Sequence, residues 1–131
     1  MSRFDAALTA LEAETGWKSV AEGEGASATR RFQLADMEFS MSAPDDRHLY
    51  FTYCLATLAP DEDADARARA YARMAAAAFK TRHATLSFHE RRFYLSQEVD
   101  LTTVDVEQTP LFCQNFLNDC DWWRGNPPPV S

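Results

Sequence analysis

The chain has 131 residues, 46% of them hydrophobic and 25% charged, and its 13 basic against 20 acidic side chains give a formal net charge of −7. A chain of this length forms one domain that closes a core without disulfide or metal staples. The acidic excess argues against nucleic acid or an anionic membrane as partner. Three cysteines without a CxxC pair, no basic-then-apolar leader and no run near the ~20 apolar residues of a bilayer span predict a reduced, cytoplasmic protein.

Ser2 is placed to cap a first helix, with Asp5 three residues on, and Phe4, Leu8 and Leu11 recur on one helical face. Gly16 suits the left-handed turn that ends it, and Trp17 follows. The Gly/Glu/Ala-rich stretch from Ala21 to Ser27 reads as a loop. A strand is expected over Ala28–Leu34. A second follows, where Met37, Phe39 and Met41 alternate with Glu38, Ser40 and Ser42. After a turn at Ala43-Pro44-Asp45-Asp46, a third strand over Leu49–Leu58 is apolar on both faces, as expected for a central strand covered on both sides. An isolated monomer with helices on one face leaves the other to a partner subunit.

Acidic residues from Asp61 to Asp65 crowd the start of an alanine-rich helix running from about Asp63 to Arg82, with Tyr71, Met74, Ala75, Ala78 and Phe79 on its apolar face. Thr85–His89 and Phe93–Val99 alternate across a polar Glu90-Arg91 turn, which predicts a hairpin. Thr109-Pro110 opens a last helix with a Phe112, Phe116, Cys120, Trp123 stripe, closed by Gly125 and Asn126. The expected organisation is a single α+β domain over residues 1–126 with a flexible Pro-rich tail at 127–131. Its sheet is antiparallel, strongly twisted and five-stranded, and three helices accompany it in the order α-β-β-β-α-β-β-α.

No constellation of side chains assigns a catalytic, cofactor-binding or metal-binding residue. Asp61-x-Asp63-x-Asp65 begins like a calcium loop, but Ala66 and Ala72 stand where glycine and the bidentate glutamate belong. His48, His83 and His89 have no neighbour at zinc-ligand spacing. Cys54, with His48 or His89 as base, is the best nucleophile candidate, yet it sits mid-strand in an apolar run. Cys113 and Cys120 read as small core residues. Glu12 with Glu14, and Asp119 with Asp121, read as solvated helix faces. One of Trp122 and Trp123 is expected in the core and the other partly exposed at a binding surface.

Phe93-Tyr94-Leu95, Leu101 and then Phe112-x3-Phe116-Leu117-x2-Cys120-x-Trp122-Trp123 resemble the last strand and final helix of the class I type III secretion chaperones, the CesT/SycE-like family. The resemblance covers nearly the whole element order. The chain departs from that family at Phe79-Lys80-Thr81-Arg82-His83, where a Gly/Asn-rich segment is usual, and at Pro110, which delays the last helix. The resemblance implies a non-enzymatic homodimer without cofactors. It would hold the N-terminal chaperone-binding segment of a cognate secreted effector in extended form, without ATP, and release it at the secretion ATPase. The YbjN-like regulatory or adaptor proteins share that fold and are the alternative; a small α+β enzyme is a third. Phe4, Leu8, Leu11, Phe32, Leu34, Phe39 and Met41 are assigned here to the effector groove, and Tyr71, Met74, Phe79, Leu86 and Phe88 to the dimer contact.

Overall fold

The computed structural model of the chain describes residues 2–22, 29–78 and 83–126. Helix α1 (Arg3–Thr15) is closed at both ends by local chemistry. Ser2 Oγ accepts from the Asp5 amide at 3.0 Å, and Gly16, at φ 75°, donates its amide to the Glu12 carbonyl. A second cap comes from far along the chain, because the Asp46 carboxylate accepts from the amides of Arg3 and Phe4 at 3.1 and 2.9 Å. The helix buries Phe4, Ala7 and Leu11.

The strands are β1 (Ser19–Glu22), β2 (Thr29–Gln33), β3 (Glu38–Ser42), β4 (His48–Thr57), β5 (Thr85–His89) and β6 (Arg92–Asp100). They form one antiparallel sheet in the order β1-β2-β3-β4-β6-β5, which puts the apolar β4 inside it. The sheet has six strands where the sequence predicts five. The added strand is β1, at the edge; its last two residues, Ala21 and Glu22, fall in the stretch expected to be a loop, and the rest of that stretch lies outside the described residues. Trp17 packs edge-on to Phe32 and Phe39, with centroids 6.3 and 6.2 Å away, and this lays the following residues beside β2. Ser19 then donates its amide and hydroxyl to Glu12 Oε2 and accepts from Arg30 Nε. One exposed Val20 in four residues gives no period to read.

Helix α2 (Ala64–Ala78) starts where Asp63 Oδ1 accepts from the amides of Asp65 and Ala66. Its expected continuation to Arg82 lies outside the described residues, as does the tail at 127–131. A 3-10 turn (Val106–Gln108) leads into α3 (Thr109–Gly125), with proline in its first turn and Asn126 as its cap. The core lies between one face of the sheet and the helices. Phe32 stacks on Phe39 at 5.1 Å, and Phe51 on Phe116 at 5.7 Å. Cys113 and Cys120 are buried among them. Burial pushes the Cys113 thiol up to about 12 and raises that of Cys120 as well.

Candidate partner-binding surface

The alternation of side chains makes the two faces of the sheet chemically different. Phe32, Phe39, Met41, Leu49, Phe51, Phe93, Leu95 and Val99 point into the core. The opposite face carries Ser40, Thr52 and Ser96 in one cross-strand row, Ser42, Tyr50 and Glu98 in the next, and Cys54 beside Tyr94. None of these residues is buried. The sequence reads β4 as apolar on both sides, and its second face proves to be hydroxyl-rich and open. A β-bulge between Cys54 and Ala56 bends the strand near its end.

Two edges bound the sheet. At β1, Val20 is 57% exposed; at β5, Phe88 is 44% exposed while its ring stands 4.6 Å from that of Phe93. Between β5 and α2 lies a cleft of about 570 Å³ walled by Ala72, Ala75, Ala84 and Leu86, with Trp123 at its floor. Helix α2 reaches the body chiefly through Tyr71, whose ring lies 4.6 Å from Phe93 and 6.0 Å from Trp123. It leaves Arg69, Ala72, Arg73, Ala76 and Ala77 exposed.

Of the residues assigned to an effector groove, Phe4, Leu11, Phe32, Phe39 and Met41 are fully buried in the core, and Leu8 and Leu34 are half-buried at its margin. A peptide reaches the first five only if the core opens. Of the residues assigned to the dimer contact, Tyr71 is buried, Met74 and Leu86 are half-buried, Phe88 is exposed, and Phe79 lies outside the described residues. Trp123 joins the core, and Trp122 packs edge-to-face against it at 5.5 Å while remaining half-exposed.

Two polar clusters stand out. His48 Nδ1 lies 2.6 Å from Asp45 Oδ2, and its Nε2 lies 3.6 Å from Glu98 Oε1. The hydrogen bond to Asp45, with help from the two nearby carboxylates, raises the imidazole above its ordinary value, and the Asp45 carboxyl is lowered, first by the bond from the His48 amide and then by that from its ring. The second cluster centres on Asp119, 5% exposed, whose Oδ2 accepts from the amides of His83 and Ala84 at 2.8 and 3.0 Å. The sequence predicts both Asp119 and Asp121 on a solvated face; Asp121 is exposed, and Asp119 is buried. Its position three residues after Phe116 and four before Trp123 was the available signal, since that spacing places it on the buried stripe.

The cysteine-and-histidine chemistry does not assemble. Cys54 Sγ lies near the Ala56 carbonyl and the Thr57 hydroxyl, at 3.8 and 3.7 Å. His48 sits six residues back along the same strand, about 20 Å away at the usual strand rise, and His89 is on β5, two strands over and so about 10 Å or more away. Among the described residues no group of three or more His, Cys, Asp or Glu is arranged to hold a metal ion, and no helix is long and apolar enough to cross a membrane.

No family model and no curated protein sequence matches the chain. Solved structures do. A chain of the HopA1–SchA chaperone–effector complex superposes with a TM-score of 0.63, over 95% of this chain and 94% of its own length, at 14% identity. This chain shares the fold of that chain. An uncharacterized protein from Methanothermobacter thermautotrophicus matches nearly as well, with a TM-score of 0.62 over 94% of this chain and 96% of its own, at 9% identity. Both likenesses run essentially end to end. At these identities the shared property is the fold.

Proposed function

We propose that the protein is a secretion chaperone that binds an extended segment of a cognate effector and keeps it competent for export without ATP. The end-to-end likeness to a chain of a chaperone–effector complex carries this reading. The geometry is compatible with it, because the β1 edge offers unpaired backbone groups to which an extended peptide can add as a further strand. Leu8, Leu34 and Trp17, half-buried at the margin of the core, would then take alternate side chains of that peptide.

The functional unit in this reading is a homodimer. The alanine-rich outer side of α2 and the cleft beside β5 permit close approach of a second copy, with Met74, Leu86 and Phe88 in the contact and Tyr71 supporting it from beneath. The net charge of −7 fits a cytoplasmic protein that works with the secretion ATPase and not with nucleic acid or a membrane.

The test is coexpression with the N-terminal segment of a secreted protein encoded nearby, followed by light scattering. A dimer carrying one such segment is expected. A monomer that retains no segment would sink the reading, and an equally stable dimer that binds none would favour the regulatory-adaptor alternative. Met74→Glu should halve the mass while the circular dichroism stays native; unchanged mass would remove α2 from the interface.

A further inference from the structure

A groove of about 800 Å³ runs between the second half of α1 and the start of α3, and it shares no lining residue with the cleft beside β5. Ala10 and Ala13 of α1 and Pro110 of α3 line it, and their small or compact side chains leave the furrow open. On its wall stands Leu111, 56% exposed. Among the described residues the exposed large apolar side chains are Val20, Phe88 and Leu111. The first two belong to the sheet edges already discussed. Leu111 belongs to neither.

The groove is also charged in one sense only. Glu14 and Glu107 line it with no lysine or arginine beside them, and neither takes part in an ion pair among the described residues. Glu14 sits in the last turn of α1, where the helix dipole disfavours negative charge, and that turn contains no basic residue. Its neighbour Glu12 is engaged by Ser19; Glu14 has no such bond. An acidic residue at the wrong end of a helix, beside an exposed leucine, is a local conflict of the kind that a bound partner resolves.

We propose that this groove docks a basic amphipathic helix of a partner polypeptide. One bulky apolar side chain of that helix lies against Leu111 over Ala10 and Ala13, and its lysine or arginine side chains face Glu14 and Glu107. The groove lies between two helices and presents no free strand edge, so the occupant is a helix laid in a groove and not an added strand. The negative rim selects a cationic occupant. The site is separate from the effector contact at β1, so either can fail without the other.

The probe is a fluorescein-labelled helical peptide of leucine and lysine with its leucines on one face, compared with the same composition scrambled. Fluorescence anisotropy should show saturable binding of the amphipathic peptide to the full-length protein. Leu111→Ser, and separately the double variant Glu14→Gln/Glu107→Gln, should each weaken it about tenfold. Asp61→Asn/Glu90→Gln, which removes two exposed charges elsewhere, should leave it unchanged. Equal binding of the scrambled peptide, or equal loss in the Asp61/Glu90 variant, would mean diffuse attraction to an acidic protein and overturn the proposal. So would undiminished binding in the groove variants. A change of mass by light scattering in the Glu14/Glu107 variant would assign the groove to a second copy and overturn it as well. The Glu14/Glu107 variant decides the matter even if Leu111→Ser fails to fold.

Discussion

The buried carboxylate of Asp119 holds the amide of His83 at 2.8 Å, joining the middle of α3 to the residue that leads into β5, 36 positions earlier in the chain. With the Ala84 amide as a second donor, one side chain fixes where the edge of the sheet begins and, with it, one wall of the cleft beside α2.

Removing that acceptor strands two amides in a partly buried place. Asp119→Ala should lower the unfolding free energy by about 1–3 kcal/mol, the usual penalty for an unsatisfied buried group. Asp119→Asn, which keeps a carbonyl oxygen, should lose less. Urea unfolding followed by tryptophan fluorescence measures both, and equal losses would show that the carboxylate charge, not a carbonyl acceptor of the same shape, matters there.

The Asp46 carboxylate caps α1 across the fold, and the bonds from the Phe4 and Arg3 amides lower its pKa. A carboxyl lowered on folding stabilises the native state above its unfolded pKa, and that contribution disappears as pH falls through the folded value. Asp46→Ala should therefore cost about 1 kcal/mol at neutral pH, in the range of other helix caps. The difference from wild type should shrink on acidification below pH 4. A pH-independent difference in thermal midpoints would remove the carboxylate from the explanation.

His48 works in the opposite sense. Its pKa is raised, first by the hydrogen bond to Asp45, so its stabilising charge is fully present below the unfolded value of about 6.5 and is lost as pH rises through the folded value. An NMR titration should place the His48 midpoint above the ordinary imidazole value. Asp45→Asn should bring His48 down. A midpoint that ignores Asp45→Asn would show that Glu98 sets it instead.

The cysteines should separate into two classes. Cys54 is exposed, whereas Cys113 and Cys120 are buried and their thiols raised by burial. A colorimetric disulfide reagent should modify one thiol quickly in the native protein and the other two only on unfolding. Fast reaction of all three would mean that α3 opens readily.

Local chemistry determined much of this protein. The Ser2 and Gly16 caps, the alternation of β3, the Glu90-Arg91 turn and the proline start of α3 each depend on residues a few positions apart, and each is readable from the chain. The Glu90-Arg91 hairpin shows how far that goes: both residues adopt positive φ, 50° and 62°, without glycine or asparagine to ease it. Their position is readable, and their strain is not. It is held by Arg91, which donates to the Ala59 and Glu62 carbonyls of the connection before α2.

The tertiary structure alone decided the remainder. The edge strand β1 exists because Trp17 and the Glu12–Ser19–Arg30 chain of hydrogen bonds tie it to distant partners, and four mostly exposed residues carry no period. The buried role of Asp119 depends on amides that approach it from another element. Phe4, Leu11, Phe32, Phe39 and Met41 look alike in sequence whether they face a groove or a core, because hydrophobic pattern specifies a face and not what covers it. Only the packing of α1 and α3 over one side of the sheet, leaving the hydroxyl-rich side open, settles which apolar residues are used up within the chain and which surfaces remain for a partner.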